Sequence, residues 1–178
     1  MIQSKQNEQL VKMSNRLTRK LDKYEVILAL IFLVILLLHI SSDFQVGVFM
    51  TITLSTLAVL YFFKAYSMSD DDNAGGLERF IDKLASLSLS VCLIGIMFRL
   101  ENWPGYDKML LIGSSTLVII LPIILVMQSK KPDLKIFSQR MKLRIVIIAA
   151  LGLLLYFTPA DELIKVGIVK SYNTEVAK

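Results

Sequence analysis

Two clusters and one lone residue in this chain have types and spacing that could do chemistry. The run Ser69, Asp70, Asp71, Asp72, Asn73, Ala74, Gly75, Gly76 has the look of a calcium loop. With Asp70 at position 1 of an EF-hand, Asp72 falls at 3 and Gly75 at 6, but Ala74 occupies 5 and Ile81 occupies 12, where a bidentate Glu belongs. The calcium reading fails, and a solvated acidic turn before a helix, favoured by the helix dipole, accounts for the carboxylates. The second cluster is Arg99, Glu101 and Asp107 around Trp103, Pro104, Gly105 and Tyr106, the one grouping that could act on a lipid headgroup. Arg99 and Glu101 are two residues apart and would not face each other on a helix, and a salt bridge or headgroup contact explains them equally well. The lone residue is Cys92, the only cysteine, which excludes an intramolecular disulfide, a paired-cysteine redox site and a cysteine zinc cluster. It reads as a small packing residue, because burial suppresses the thiolate. No catalytic, metal-binding or cofactor-binding residues are therefore expected.

The elements that position these residues are apolar runs. The chain has 178 residues, of which 54% are hydrophobic, and a mean hydropathy of +0.60; its apolar residues are clustered, as in a membrane domain. A bilayer core of about 30 Å takes about 20 helical residues, since lipid offers no partners to backbone groups. Five runs approach that length, predicting an all-α integral membrane protein with spans at about 24–40, 46–63, 80–101, 109–127 and 143–160. The fifth is apolar only over 145–157 and reaches length if Arg144 snorkels; four spans and a surface helix is the rival. Residues 1–23 form a basic cytoplasmic segment, with Leu10, Met13, Leu17, Leu21 and Tyr24 at amphipathic spacing, and 161–178 an exterior tail. No A-x-A pattern follows the first run, so it reads as an uncleaved anchor. Thr158 and Pro159 resemble a helix cap and first helical position, predicting a tail helix through Ile168. Residues 132–144, with Leu134, Phe137 and Met141 among basic residues, predict a second inner-leaflet helix.

The net charge of +5 could suggest nucleic acid, but its distribution argues otherwise. Fifteen of the twenty basic residues precede the first span, lie between the second and third, or lie between the fourth and fifth. This is the positive-inside pattern: cytoplasmic N-terminus, exterior C-terminus, and an anionic inner leaflet as partner. The turn at 103–106, where Pro presets one angle and Gly accepts a positive φ, then lies at the exterior face, with Trp103 and Tyr106 at headgroup level.

Function in membrane proteins shows as ionisable groups held in the bilayer despite their cost. Here His39, Lys64, Arg99 and Glu101 all fall near span ends, where snorkelling is cheap. The third span instead concentrates Ala85, Ser86, Ser88, Ser90, Cys92 and Gly95, with Ser86/Ser90 and Ser88/Cys92 as small-xxx-small pairs that let backbones approach, in this chain or between copies. Pro122 predicts a kink in the fourth span, freeing the Val118 carbonyl. Residues 40–57 and 100–117 each contain a short turn and end in Ser-Thr-Leu, a faint parallel repeat.

The hairpin also carries a resemblance. Phe98, Arg99, Asn102, Trp103, Pro104, Gly105, Tyr106, Asp107, Met109, Leu110 and Gly113 resemble the F-K-x-x-H-W-P-G-A-D-x-M-L-x-x-G signature of the GldL family of gliding-motility motor proteins, and more closely its uncharacterised multi-span relatives. The resemblance covers about 30 residues, two spans and their turn. It implies a bacterial inner-membrane location. In the motor family a membrane-embedded Glu follows the Thr after that glycine; aligned through Gly113 and Thr116, Leu117 stands there and cannot carry a proton. Sequence thus predicts a non-catalytic inner-membrane protein with a structural, assembly or partner-binding role, assembling with itself or a membrane partner. The alternatives are an ion- or proton-flux subunit and a lipid-modifying enzyme.

Overall fold

The computed structural model describes residues 47–66, 75–131 and 138–165, together with Ile27, Ile31, Phe32, Val34 and Ile35. Expectations for residues 1–23, for most of the first apolar run, for the calcium-like acidic run up to Ala74 and for the tail beyond Lys165 lie outside the described residues, as does the turn of the proposed repeat. The five isolated residues are helical, and Phe32 and Ile35 pack against the core.

All described secondary structure is helical: α1 (Gly47–Tyr66), α2 (Gly76–Leu100), α3 (Tyr106–Lys130), α4 (Gln139–Phe157) and α5 (Ala160–Lys165). Three helices are long and apolar enough to cross a membrane, Val48–Tyr66, Gly76–Leu100 and Tyr106–Lys130, as expected of a multi-span membrane protein. Each outruns its expected segment at one or both ends, because helix propagates through the flanking charged residues. α2 takes in Glu78 and Arg79, and α3 takes in Asp107, Lys108 and Lys130.

α4 differs from expectation at both ends. It begins at Gln139, where the Ser138 hydroxyl accepts the Met141 N–H at 3.3 Å, a good N-cap that recruits the basic residues into the same helix. Arg140, Lys142 and Arg144 thus occupy its first two turns; the part of the expected inner-leaflet helix over 132–137, with Leu134 and Phe137, lies outside the described residues. Its apolar part, 13 residues over 145–157, is about 20 Å long against a core of about 30 Å. At the other end the Thr158 hydroxyl turns back to Leu154 O at 2.7 Å instead of capping the following helix. α5 starts one residue past Pro159, whose carbonyl accepts the Leu163 N–H at 3.3 Å. α3 runs unbroken across Pro122, which is exposed.

α2 is the central element. It packs against α1, α3 and α4, and α3 also packs against α4, while α1 touches α2 alone among the described helices. Leu89, Ile96, Leu110, Leu117, Ile124 and Ile145 are buried in this core. The opposite faces stay apolar and exposed: Phe49, Ile52, Val59 and Phe63 on α1, Ile112, Ile119 and Val126 on α3, Ile147 and Leu154 on α4. An exposed surface of this kind suits hydrocarbon rather than water.

Candidate functional site at the hairpin turn and the central helix

The turn between α2 and α3 is two motifs in series. At the end of α2, Asn102 takes a left-handed conformation, φ 55°, which Asn tolerates better than most side chains. Trp103 N–H then donates to Phe98 O at 2.7 Å and Asn102 N–H to Arg99 O at 3.2 Å. These are the paired bonds of a Schellman motif, which satisfies carbonyls that the helix leaves open. Its usual apolar contact is here between rings, Phe98 edge-on to Trp103 at 5.2 Å. Gly105 follows with φ 90° and ψ 0°, the angles that the third position of a type II turn requires, and its carbonyl accepts the Met109 N–H at 3.4 Å to open α3. Pro104 and Asp107 are exposed and Tyr106 is half-buried.

Arg99 is not at a snorkelling position. It is 3% exposed, its Nη2 donates to Thr158 O at 2.6 Å, and its guanidinium carbon lies 4.3 Å from the centre of the Tyr106 ring. The reason is the end of α4: Thr158 is the C-cap of that helix, and Arg99 itself sits in the last turn of α2. Two helix C-termini, each carrying roughly half a negative charge, therefore face one guanidinium. The Tyr106 ring supplies cation–π attraction on its face. Among the described residues the Arg99 Nε–H has no partner. Glu101, by contrast, accepts from the Thr51 hydroxyl of α1 at 2.9 Å. As their spacing of two requires, the two residues are turned to opposite sides of α2 and tie different helices to it.

The same division runs the length of α2. At about 100° per residue, Ser88, Cys92, Gly95 and Arg99 form one stripe, and Asp82, Ser86, Ser90, Met97 and Glu101 another on the far side. The first stripe meets α3 and α4 at backbone distance. A Cβ on Gly113 would lie 2.7 Å from Cys92 N, and one on Gly95 would lie 2.9 Å from Leu110 N. A Cβ on Gly152 of α4 would meet Ser114 Oγ and, at 2.7 Å, Cys92 Sγ. Cys92 Sγ is 3.5 Å from Ser114 Oγ and 3.7 Å from the Ile148 carbonyl. The Ser88 hydroxyl bonds Leu84 O of its own helix at 2.8 Å. The second stripe looks toward α1, where the Ser55 hydroxyl reaches Met97 Sδ at 3.1 Å. Ser86 and Ser90 are buried, and the Ser86 hydroxyl has no partner among the described residues. The small-residue pairs therefore pack within this chain, on two faces.

At the opposite end of the bundle, Lys131 pairs with Glu78 at 2.7 Å and Lys142 donates to Gln128 Oε1 at 2.7 Å, joining α2 to α3 and α3 to α4. Eight lysines and arginines and two carboxylates of the described residues lie at this end; three and four lie at the turn end. Among the described residues no group of three His, Cys, Asp or Glu side chains could hold a metal.

The structure thus joins Arg99 to Tyr106 and Phe98 to Trp103, and separates Arg99 from Glu101. Ser114 and Gly152 did not stand out from sequence, and Thr158 did so only as a cap for the following helix; Gly152, small within a run of large residues, was the available signal, as was Asn102 for the Schellman turn. No protein-family model matches the chain, and no curated protein or solved structure is similar to it.

Proposed function

We propose that this chain is a non-catalytic, multi-pass protein of a bacterial inner membrane, with a structural role in which it assembles with itself or with a membrane partner. The observation that carries this reading is the junction at Cys92, Gly113, Ser114 and Gly152, which fills the centre of α2, α3 and α4 with backbone and small side chains. Such packing suits a rigid platform better than a conduit, since van der Waals contact is the main force between helices in lipid. Leu117, at the position of the glutamate in the GldL family, is wholly buried between helices, so the likeness to that family is read as architecture. The end with eight basic residues faces the cytoplasm and an anionic leaflet, and the Pro104–Gly105 turn faces the exterior.

The experiment is native mass spectrometry of the full chain extracted from its own membrane, with crosslinking in situ. A defined multiple of the chain, or a stoichiometric companion, is the expected result. A monomer alone in every extraction, with no crosslinked neighbour, overturns the assembly role.

A further inference from the structure

We propose that the outward side of α3 and α4 is fitted to a bilayer thinner than the usual one, so that the chain thins the membrane beside it and gathers lipids with short acyl chains. This rests on the multi-pass part of the reading above. On α3 the exposed large apolar side chains run from Leu111 to Val126, and on α4 from Leu143 to Phe157. At a rise of about 1.5 Å per residue, both faces are about 21–23 Å tall. Exposed polar residues bound each face at both ends, Lys108 and Ser129 on α3, Arg140 and Asp161 beyond the face of α4. The two faces stand side by side. A Cβ on Gly152 of α4 would meet Ser114 Oγ of α3, and toward the basic end Lys142 Nζ donates to Gln128 Oε1 at 2.7 Å. Measured along the helices from the Ser114–Gly152 junction, the faces end within about 5 Å of each other at the basic end and about 3 Å at the turn end.

Two neighbouring faces equal in height and level make one belt, and a hydrocarbon core of about 30 Å overhangs it by about 8 Å. A bilayer beside a short belt thins, unless flanking side chains snorkel or other copies cover the face. Snorkelling is restricted here. At the basic end Lys131 is held by Glu78 and Lys142 by Gln128, and at the turn end α4 finishes in Thr158 and Pro159, with no long stem to lie along the acyl chains. Coverage by a second copy is disfavoured because close helix approach needs small residues, and Gly113, Ser114 and Gly152 are turned inward to the junction.

The test reconstitutes the full chain in vesicles of dimyristoleoyl, dipalmitoleoyl, dioleoyl, dieicosenoyl and dierucoyl phosphatidylcholine, a fluid series of rising thickness, and reads the thermal unfolding midpoint by circular dichroism. The midpoint is expected to be highest in one of the two shortest lipids and to fall steadily beyond them. Ser129→Leu with Arg140→Leu, both exposed positions, carries the two faces about 4–5 Å further at the basic end and should move the maximum to a longer lipid by at least one step. Ser129→Gln with Arg140→Gln removes the charge without lengthening the belt and should leave the maximum in place. The position of the maximum is read and not its height, so a variant that is merely less stable still reports. A parent maximum at dioleoyl or longer, a maximum that the leucine pair does not move, or one that the glutamine pair moves as far, overturns the inference. So do midpoints equal in every lipid with crosslinking between copies rising with thickness, which would mean that copies cover the face. Release of the chain by alkaline extraction would overturn the membrane reading and this inference together, whereas retention with any of the other failures overturns the inference alone.

Discussion

Gly105 and Arg99 are the residues on which the turn depends, for different physical reasons. At φ 90° an added Cβ meets no neighbour, so the cost of Gly105→Ala is conformational, about 1–2 kcal/mol for a left-handed position. Asn tolerates that region better, so thermal unfolding in detergent should rank Gly above Asn above Ala; no difference between Gly and Ala would mean that the turn is not as strained as φ implies. Arg99 is buried against a ring and a carbonyl. A lysine in its place is a point charge without a planar face to stack. A double-mutant cycle of Arg99→Met and Tyr106→Leu should give a coupling of about 0.5–2 kcal/mol. Additive single effects, within about 0.3 kcal/mol, would show that the ring contributes only packing.

At the scale of elements, the two faces of α2 predict opposite responses to small changes. Gly113→Ala places a methyl group 2.7 and 2.8 Å from Cys92 backbone atoms, which cannot yield as a side-chain tip can, so α2 and α3 must separate at a cost of about 1–3 kcal/mol. Gly76→Ala, where a Cβ meets nothing within 4 Å, should be neutral or stabilise by up to about 1 kcal/mol through helix propensity. On the α1 side, Ser86→Ala removes a buried hydroxyl with no partner and should stabilise by about 1 kcal/mol, the lower end of an unmet desolvation cost. Denaturation midpoints of the three variants check the order, and a Ser86→Ala variant less stable than the parent would reveal a partner for that hydroxyl. The long apolar helices and the turn were legible in sequence because lipid length and Pro–Gly chemistry are local constraints. The start of α4 was not, because a Ser138 cap and three basic residues extend a helix whose apolar pattern begins only at Ile145. Nor was the Arg99–Thr158 bond, whose partners are 59 residues apart: which carbonyl a guanidinium finds is decided by the crossing of α2 and α4, and spacing along the chain carries no trace of it.

For the whole molecule, antiparallel packing turns a pattern scattered through the sequence into a polarity. Thr51 with Glu101 and Arg99 with Thr158 mark one end; Glu78 with Lys131 and Lys142 with Gln128 mark the other. Among the described residues, basic residues exceed carboxylates by eight to two at the second end and trail them by three to four at the first. Lysines and arginines near helix ends resist transfer across a membrane, and carboxylates contribute little to that bias, so this difference is the ground for the proposed orientation. The consequence is measurable with a membrane-impermeant maleimide on intact cells, because Cys92 is buried and should not react. Asp107→Cys, exposed beside the turn, should label from outside. Ser129→Cys, exposed at the end of α3, should label only after permeabilisation. The reversed pattern would invert the protein and put the turn on the cytoplasmic side, since its placement depends on which leaflet those cations meet. Labelling of both positions from one side would contradict a membrane crossing by α3, whose two ends they mark.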